Sequence, residues 1–229
     1  MASFKYDKFI CSIDGESLKN YVTYQLNSVF FDGIKVKKKV IKKYAKDAMD
    51  RLVTCFKGIR RKYYFDGDNT LFNHLNSDHY SAFLYLLSNT VYRSGGHLEL
   101  AEKIFLLNKT LHGIDVFYSV ELPRIFVFVH PLGTVVGNAK YGNHLVVYQN
   151  CGIGSMEGGS YPVFGDGIIL FSGSTVLGSC EIGNNVVFGA KSFVLNMDIP
   201  SDSIVVGNYP EHRVMQNKKD IVDRFFNQI

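Results

Sequence analysis

The sequence predicts an α+β chain that is mainly β: an α-helical N-terminal domain followed by a parallel β-helix with triangular coils. Three observations carry this. A six-residue repeat runs from Val129 to Ile199. One break in that repeat keeps the phase on either side. A helical spacing of apolar residues fills much of the stretch before it.

The repeat has two runs of anchors, Val129, Val135, Tyr141, Val147 and Ile153, then Phe164, Leu170, Val176, Ile182, Phe188 and Val194. Four positions after most anchors comes a small or medium residue: Gly133, Ala139, Leu145 and Cys151, then Ile168, Ser174, Cys180, Val186 and Ser192. A period of six fits neither a helix nor a simple alternating strand. It fits a solenoid in which one hexapeptide covers one face and three complete a turn. The anchor then points inward and the smaller residue fills the corner. Ile153 to Phe164 is eleven residues, so five are inserted around Ser155–Ser160. That segment must leave the prism as a loop, and loops on rigid scaffolds often carry sites.

Before the prism, Asp14-Gly15-Glu16-Ser17 reads as a turn into a short helix ending near Phe30. Lys35 to Tyr63 reads as a long helix with Val36, Val40, Tyr44, Ala48, Leu52, Cys55 or Phe56, and Ile59 on one stripe. Asp66-Gly67-Asp68-Asn69 is a turn. Ser77 or Asp78 can cap a helix through Arg93, and Gly95-Gly96 stops it. A further helix spans Leu98 to Leu111 with Gly113 at its end, and Ile114 to Val120 is extended. The expected domains are 1–113 helical, 114–207 β-helix, and 208–229 a tail. The last coil is expected to close near Pro200, with a short helix over Asp220–Gln228 that could cover the prism end.

Charge and cysteine content bound the function. Lys35–Lys62 holds twelve basic and two acidic residues, a local charge of +10 in a chain of net +4. Such a run is usually a solvated helix face. An anionic membrane surface, a polyanionic acceptor or subunit packing are the alternatives, and no nucleic-acid reading module accompanies the charge. No apolar run approaches the roughly 20 residues of a membrane span, and Met1–Lys5 lacks a signal-peptide core, so the expected compartment is cytoplasmic. Cys11, Cys55, Cys151 and Cys180 show no metal spacing and read as structural thiols. Among the coil residues only His130 and His144 could be histidine ligands, too few for zinc, so no metal is expected.

Val129–Ala139 (VHPLGTVVGNA), Tyr148–Gly154 (YQNCGIG), Val176–Gly183 (VLGSCEIG), Val206-Gly207-Asn208-Tyr209-Pro210 and the helix opening Asp78-His79-Tyr80-Ser81 carry a resemblance. Together they resemble the serine O-acetyltransferases of the hexapeptide-repeat acyltransferase superfamily, over about Asn76 to Met215. The resemblance implies a left-handed β-helix, acetyl-CoA as co-substrate, and a homotrimer or a multiple of trimers with sites between prisms. It implies His130 as catalytic base, Glu121 as the carboxylate that orients it, and Asp78 at the acceptor pocket. Gly154, Ser155, Ser172 and Ala190 match backbone positions along the pantetheine arm. Lys191, Lys218 and Lys219 are candidate partners for coenzyme phosphates.

The chemistry agrees. A hydroxyl becomes a competent nucleophile when a base near neutral pKa takes its proton, and histidine suits that best. Two departures stand out. One hexad is missing between Glu121 and His130. Before Pro162, Ser160 and Tyr161 stand where the family has the Arg-His that holds an amino acid. Tyr161 would suit a sugar ring, so a sugar or glycan hydroxyl is the expected acceptor, with Ser160 and Tyr161 as binding residues and L-serine as the rival. A catalytically silent interaction module is the non-enzymatic alternative.

Overall fold

A computed structural model describes residues 8–157 and 159–228. The helical region holds β1 (Phe9–Cys11), α1 (Gly15–Val29), α2 (Lys38–Lys57), β2 (Thr70–Phe72), α3 (Ser77–Arg93) and α4 (Leu98–His112). Asp14 caps α1 by accepting from the N–H groups of Glu16 and Ser17. The expected stripe on α2 is buried from Tyr44 through Phe56. That helix stops at Gly58, short of Tyr63, because the chain there turns against the prism: a Cβ on Gly58 would lie 2.6 Å from Ile125 Cδ1. Gly113 ends α4 in the left-handed region. Among the described residues no helix is long and apolar enough to cross a membrane.

The prism is a parallel β-helix with three faces, left-handed as anticipated. The first face stacks β4 (Phe126–Val129), β7 (Leu145–Tyr148), β10 (Ile168–Leu170), β13 (Val186–Phe188) and β15 (Ser203–Val206). The second stacks β3 (Asp115–Val116), β5 (Val135–Val136), β8 (Gly152–Gly154), β11 (Thr175–Leu177) and β14 (Phe193–Leu195). The third stacks β6 (Lys140–Tyr141), β9 (Val163–Phe164) and β12 (Glu181–Ile182). Ile168 pairs with Val186 and Thr175 with Phe193, eighteen residues on in each case, as three hexads require. The pairs that span the inserted loop, Leu145 with Ile168 and Gly152 with Thr175, are five residues wider.

The inward anchors from Val147 to Val194 are buried as expected. The first coil differs. Val135 is 49 % exposed and Val129 only half-buried, while Phe128 and Val136 are buried and pair with Val147 and Ile153. Thr134 rather than Gly133 fills the corner below them. Two further expectations shift. Ile114–Val120 forms only the two-residue β3, and the solenoid passes Pro200 to include β15 and a bridge from Phe193 to Asn208.

After β15 the chain reverses into β16 (Arg213–Gln216), antiparallel to it, and α5 (Ile221–Phe225), capped by Asp220. This segment does not cover the prism end. It runs back along the corner between the third and first faces. Asn217 Nδ2 donates to Asn185 O, the Ile221 N–H donates to Asn185 Oδ1, and Phe226 packs on His144 at 4.9 Å. The Asn227 N–H then donates to Gly58 O of the helical region. His144 is thus a packing residue. All four cysteines are free, and Cys55, Cys151 and Cys180 are buried.

Candidate active site

The corner between the first and second faces positions the key side chain. In three coils, two residues separate the inward anchor from a residue with positive φ. They are Tyr148-Gln149 before Asn150, Phe171-Ser172 before Gly173, and Gly189-Ala190 before Lys191. In the first coil four residues, Val129-His130-Pro131-Leu132, lie between Phe128 and Gly133. The extra pair cannot follow the prism wall, so it bulges outward. It carries His130, whose side chain is 74 % exposed and whose φ is 49°. A left-handed conformation costs a non-glycine residue roughly 1–2 kcal/mol, so something must hold it.

Asp78 holds it. The His130 backbone N–H donates to Asp78 Oδ1 at 3.0 Å, and the ring Nδ1 lies 4.0 Å from the same oxygen. Asp78 is available because Asn76, not Ser77 or Asp78, caps α3 by accepting from the N–H groups of Asp78 and His79. Burial pushes the Asp78 carboxyl above its usual range, and the His130 N–H works against that.

Asp78 and His130 share a cavity of about 240 Å³ on the outside of the first face. Val127, Val129, Val146 and Tyr148 form its prism wall, and Arg61, Tyr63, Tyr64 and Phe225 come from the chain's two other regions. Tyr64 fixes the junction by donating from its hydroxyl to Phe128 O. Behind it, His79 sits among Phe56, Tyr64 and Phe72 and is held to a pKa of about 4 by burial. Its Nδ1 accepts from the Asn73 N–H.

The other candidates fall into two groups. Ser172, Ala190 and Lys191 continue the His130 corner, one above another. Their coils are joined by Asn150 N–H to Leu132 O, Gly173 N–H to Gln149 O, and Lys191 N–H to Ser172 O. At about 4.8 Å per coil, His130 and Lys191 are about 14 Å apart along the axis. Gly154, Ser155, Ser160 and Tyr161 lie at the next corner, between the second and third faces. There a Cβ on Gly137 would come 2.9 Å from the Tyr161 ring, so that glycine makes room for the aromatic. Within one chain, Ser160 and Tyr161 do not line the His130 cavity.

Glu121 is not brought to His130. Its loop is tied to α3 by Tyr85, whose hydroxyl donates to Val120 O and accepts from the Leu122 N–H, and by Asn89, which donates to Tyr118 O, Val120 O and Glu121 Oε1. Its other oxygen lies 3.7 Å from Arg93. The carboxylate expected to orient the ring therefore lies beside Arg93 and does not line the His130 cavity. A carboxylate that sequence reasoning passed over, Asp115, sits at the base of the His130 loop instead. Its N–H donates to Thr134 O, and Lys109 pairs with its carboxylate at 2.6 Å. Arg61, Tyr64 and Phe225 were also missed; the only hint was Arg60-Arg61-Lys62 ending the basic run. Lys218 and Lys219 lie on the returning tail, away from this corner. Among the described residues no group of three or more His, Cys, Asp or Glu could hold a metal.

No family model matches the chain. It is 32 % identical over 145 residues to a serine acetyltransferase of Staphylococcus xylosus, covering 62 % of this chain and 66 % of the relative. It is 30 % identical over 145 residues to a serine acetyltransferase of Staphylococcus epidermidis, covering 62 % and 67 %. The chain thus spans about two thirds of the length of the curated relatives it matches. The solved serine acetyltransferase of Neisseria gonorrhoeae superposes with a TM-score of 0.67 at 21 % identity, over 88 % of this chain and 80 % of that one. At that identity the superposition speaks for the fold alone.

Proposed function

The chain belongs to the serine acetyltransferase family, and from that premise we propose that it moves the acetyl group of acetyl-CoA onto the hydroxyl of L-serine, with His130 as general base. The observation that carries this reading is the outward-bulged His130, clamped by Asp78 at the mouth of a small cavity.

The imidazole takes the proton of the serine hydroxyl as its oxygen attacks the thioester carbonyl. A tetrahedral oxyanion forms, the C–S bond breaks, and the proton passes from the ring to the leaving sulfur. Base help of this kind is worth roughly a hundred- to ten-thousand-fold. Asp78 takes the positioning role that the resemblance gave to Glu121: its Oδ1 accepts from the His130 N–H and lies 4.0 Å from the ring Nδ1. The sugar or glycan acceptor loses its support, because the relatives are named for serine.

The pantetheine arm would follow the His130 corner past Ser172, Ala190 and Lys191. Gly154 and Ser155, with Ser160 and Tyr161, can reach that arm only from a second copy of the chain, which supports a site completed at a seam in a homotrimer. A thiol-release assay with acetyl-CoA and a panel of acceptors tests the reaction: L-serine is turned over and sugars are not. A fall in kcat of about 10²- to 10⁴-fold in His130→Ala, with the fold intact, supports the base. Unchanged kcat in that variant, or no thiol release by the wild type, overturns the reading. Sedimentation at assay concentration tests the trimer.

A further inference from the structure

We infer that Arg61 is the acceptor's carboxylate anchor, and so a specificity-determining residue for the reaction. The inference rests on the serine reading above. Three observations lead to it. Arg61 lines the cavity that Asp78 and His130 share. Its guanidinium lies over the Phe225 ring at 4.4 Å, which orients the planar group at the rim. Among the described residues no carboxylate pairs with it within 4.0 Å, whereas Arg93 has Glu121. Asp78, the one carboxylate among the described residues lining the cavity, accepts the His130 N–H at its Oδ1.

The cavity therefore offers three recognition elements in one small space: a cation, an anion and a base. An α-amino acid with a side-chain hydroxyl presents the matching set. Its carboxylate meets Arg61, its ammonium meets Asp78, and its hydroxyl reaches His130. The valine and tyrosine surface between these groups excludes water and strengthens both ionic contacts. A guanidinium suits the carboxylate because it can donate two parallel N–H bonds. The residue comes from the segment after α2 and is held in place by α5, so the specificity contact is built from parts outside the solenoid.

The test compares L-serine with ethanolamine, which keeps the hydroxyl and the ammonium but lacks the carboxylate, in thiol-release kinetics. In the wild type, kcat/KM strongly favours L-serine. Arg61→Ala is expected to lower the serine-to-ethanolamine ratio of kcat/KM about 30- to 100-fold, chiefly through the KM for serine. Arg61→Lys, which keeps the charge but not the fork, is expected to fall between. Parallel loss with both acceptors, or an unchanged ratio, overturns the inference and leaves the serine reading standing. Absence of serine turnover in the wild type removes both together. Circular dichroism and the oligomeric state of each variant confirm that the compared proteins are folded.

Discussion

Two corners of the prism are built on opposite plans. Between the third and first faces every coil repeats the same turn. His144, Gly167, Asn185 and Asp202 all take positive φ. The residue before each carries a polar side chain, and these form a ladder: Asn143 Oδ1 accepts from Ile125 N–H, Asp166 Oδ1 from Asn143 N–H, Asn184 Oδ1 from Asp166 N–H, and Ser201 Oγ from Asn184 N–H. Between the first and second faces the same regularity holds in three coils and fails in the first, where two added residues push His130 into solvent. The regular corner satisfies backbone groups and contributes stability. The irregular one accepts strain and needs an outside residue, Asp78, to hold it. The proposed chemistry sits where the repeat is broken, in the terminal coil, whose β4 stacks on β7 alone.

The sharpest way to separate the two plans is at His130 itself. His130→Ala is expected to lower kcat about 10²- to 10⁴-fold with the thermal midpoint within a degree or two; a large drop in midpoint would mean that the bulge is structural. Behind the bulge, His79 tests the wall. It is neutral in the folded state with a pKa of about 4, against an ordinary 6.5, because of burial. The unfolded chain therefore binds the extra proton between those values. Stability is full above about pH 6.5 and is lost as pH falls toward 4, by up to about 3 kcal/mol. His112, also pushed to about 4 by burial, adds in the same direction. Urea midpoints from pH 7 to 4 measure this, and His79→Phe should flatten the slope. At the regular corner, Asn184→Ala removes the acceptor for the Asp166 N–H and is expected to cost about 1 kcal/mol with kcat unchanged. An equal loss of kcat would show that the two corners are coupled.

Much of this was readable before any coordinates. The hexad period fixed the prism, its inserted loop and most inward positions, because burial on a triangular coil forces that spacing. The first coil misled because both candidate anchors sit beside apolar neighbours. Phe128-Val129 and Val135-Val136 leave periodicity unable to say which member points inward. His130 and Asp78 were recognisable from local motifs and do meet. Glu121 was misplaced because Tyr85 and Asn89, more than thirty residues away in sequence, decide where its loop lies. Arg61 was hidden for the same reason: one arginine in a basic run becomes distinctive only when Phe225 is folded against it.

The returning tail changes how the solenoid should come apart. Repeat arrays contact only their neighbours and can fray from a free end one unit at a time. Here α5 is latched to Gly58, Arg60 and Ile59, at the opposite end from the coil it follows. Peeling off the final turns would first require that latch to open, and opening it would withdraw Phe225 from the cavity wall. Melting of the far coils and loss of acceptor affinity should therefore occur as one event.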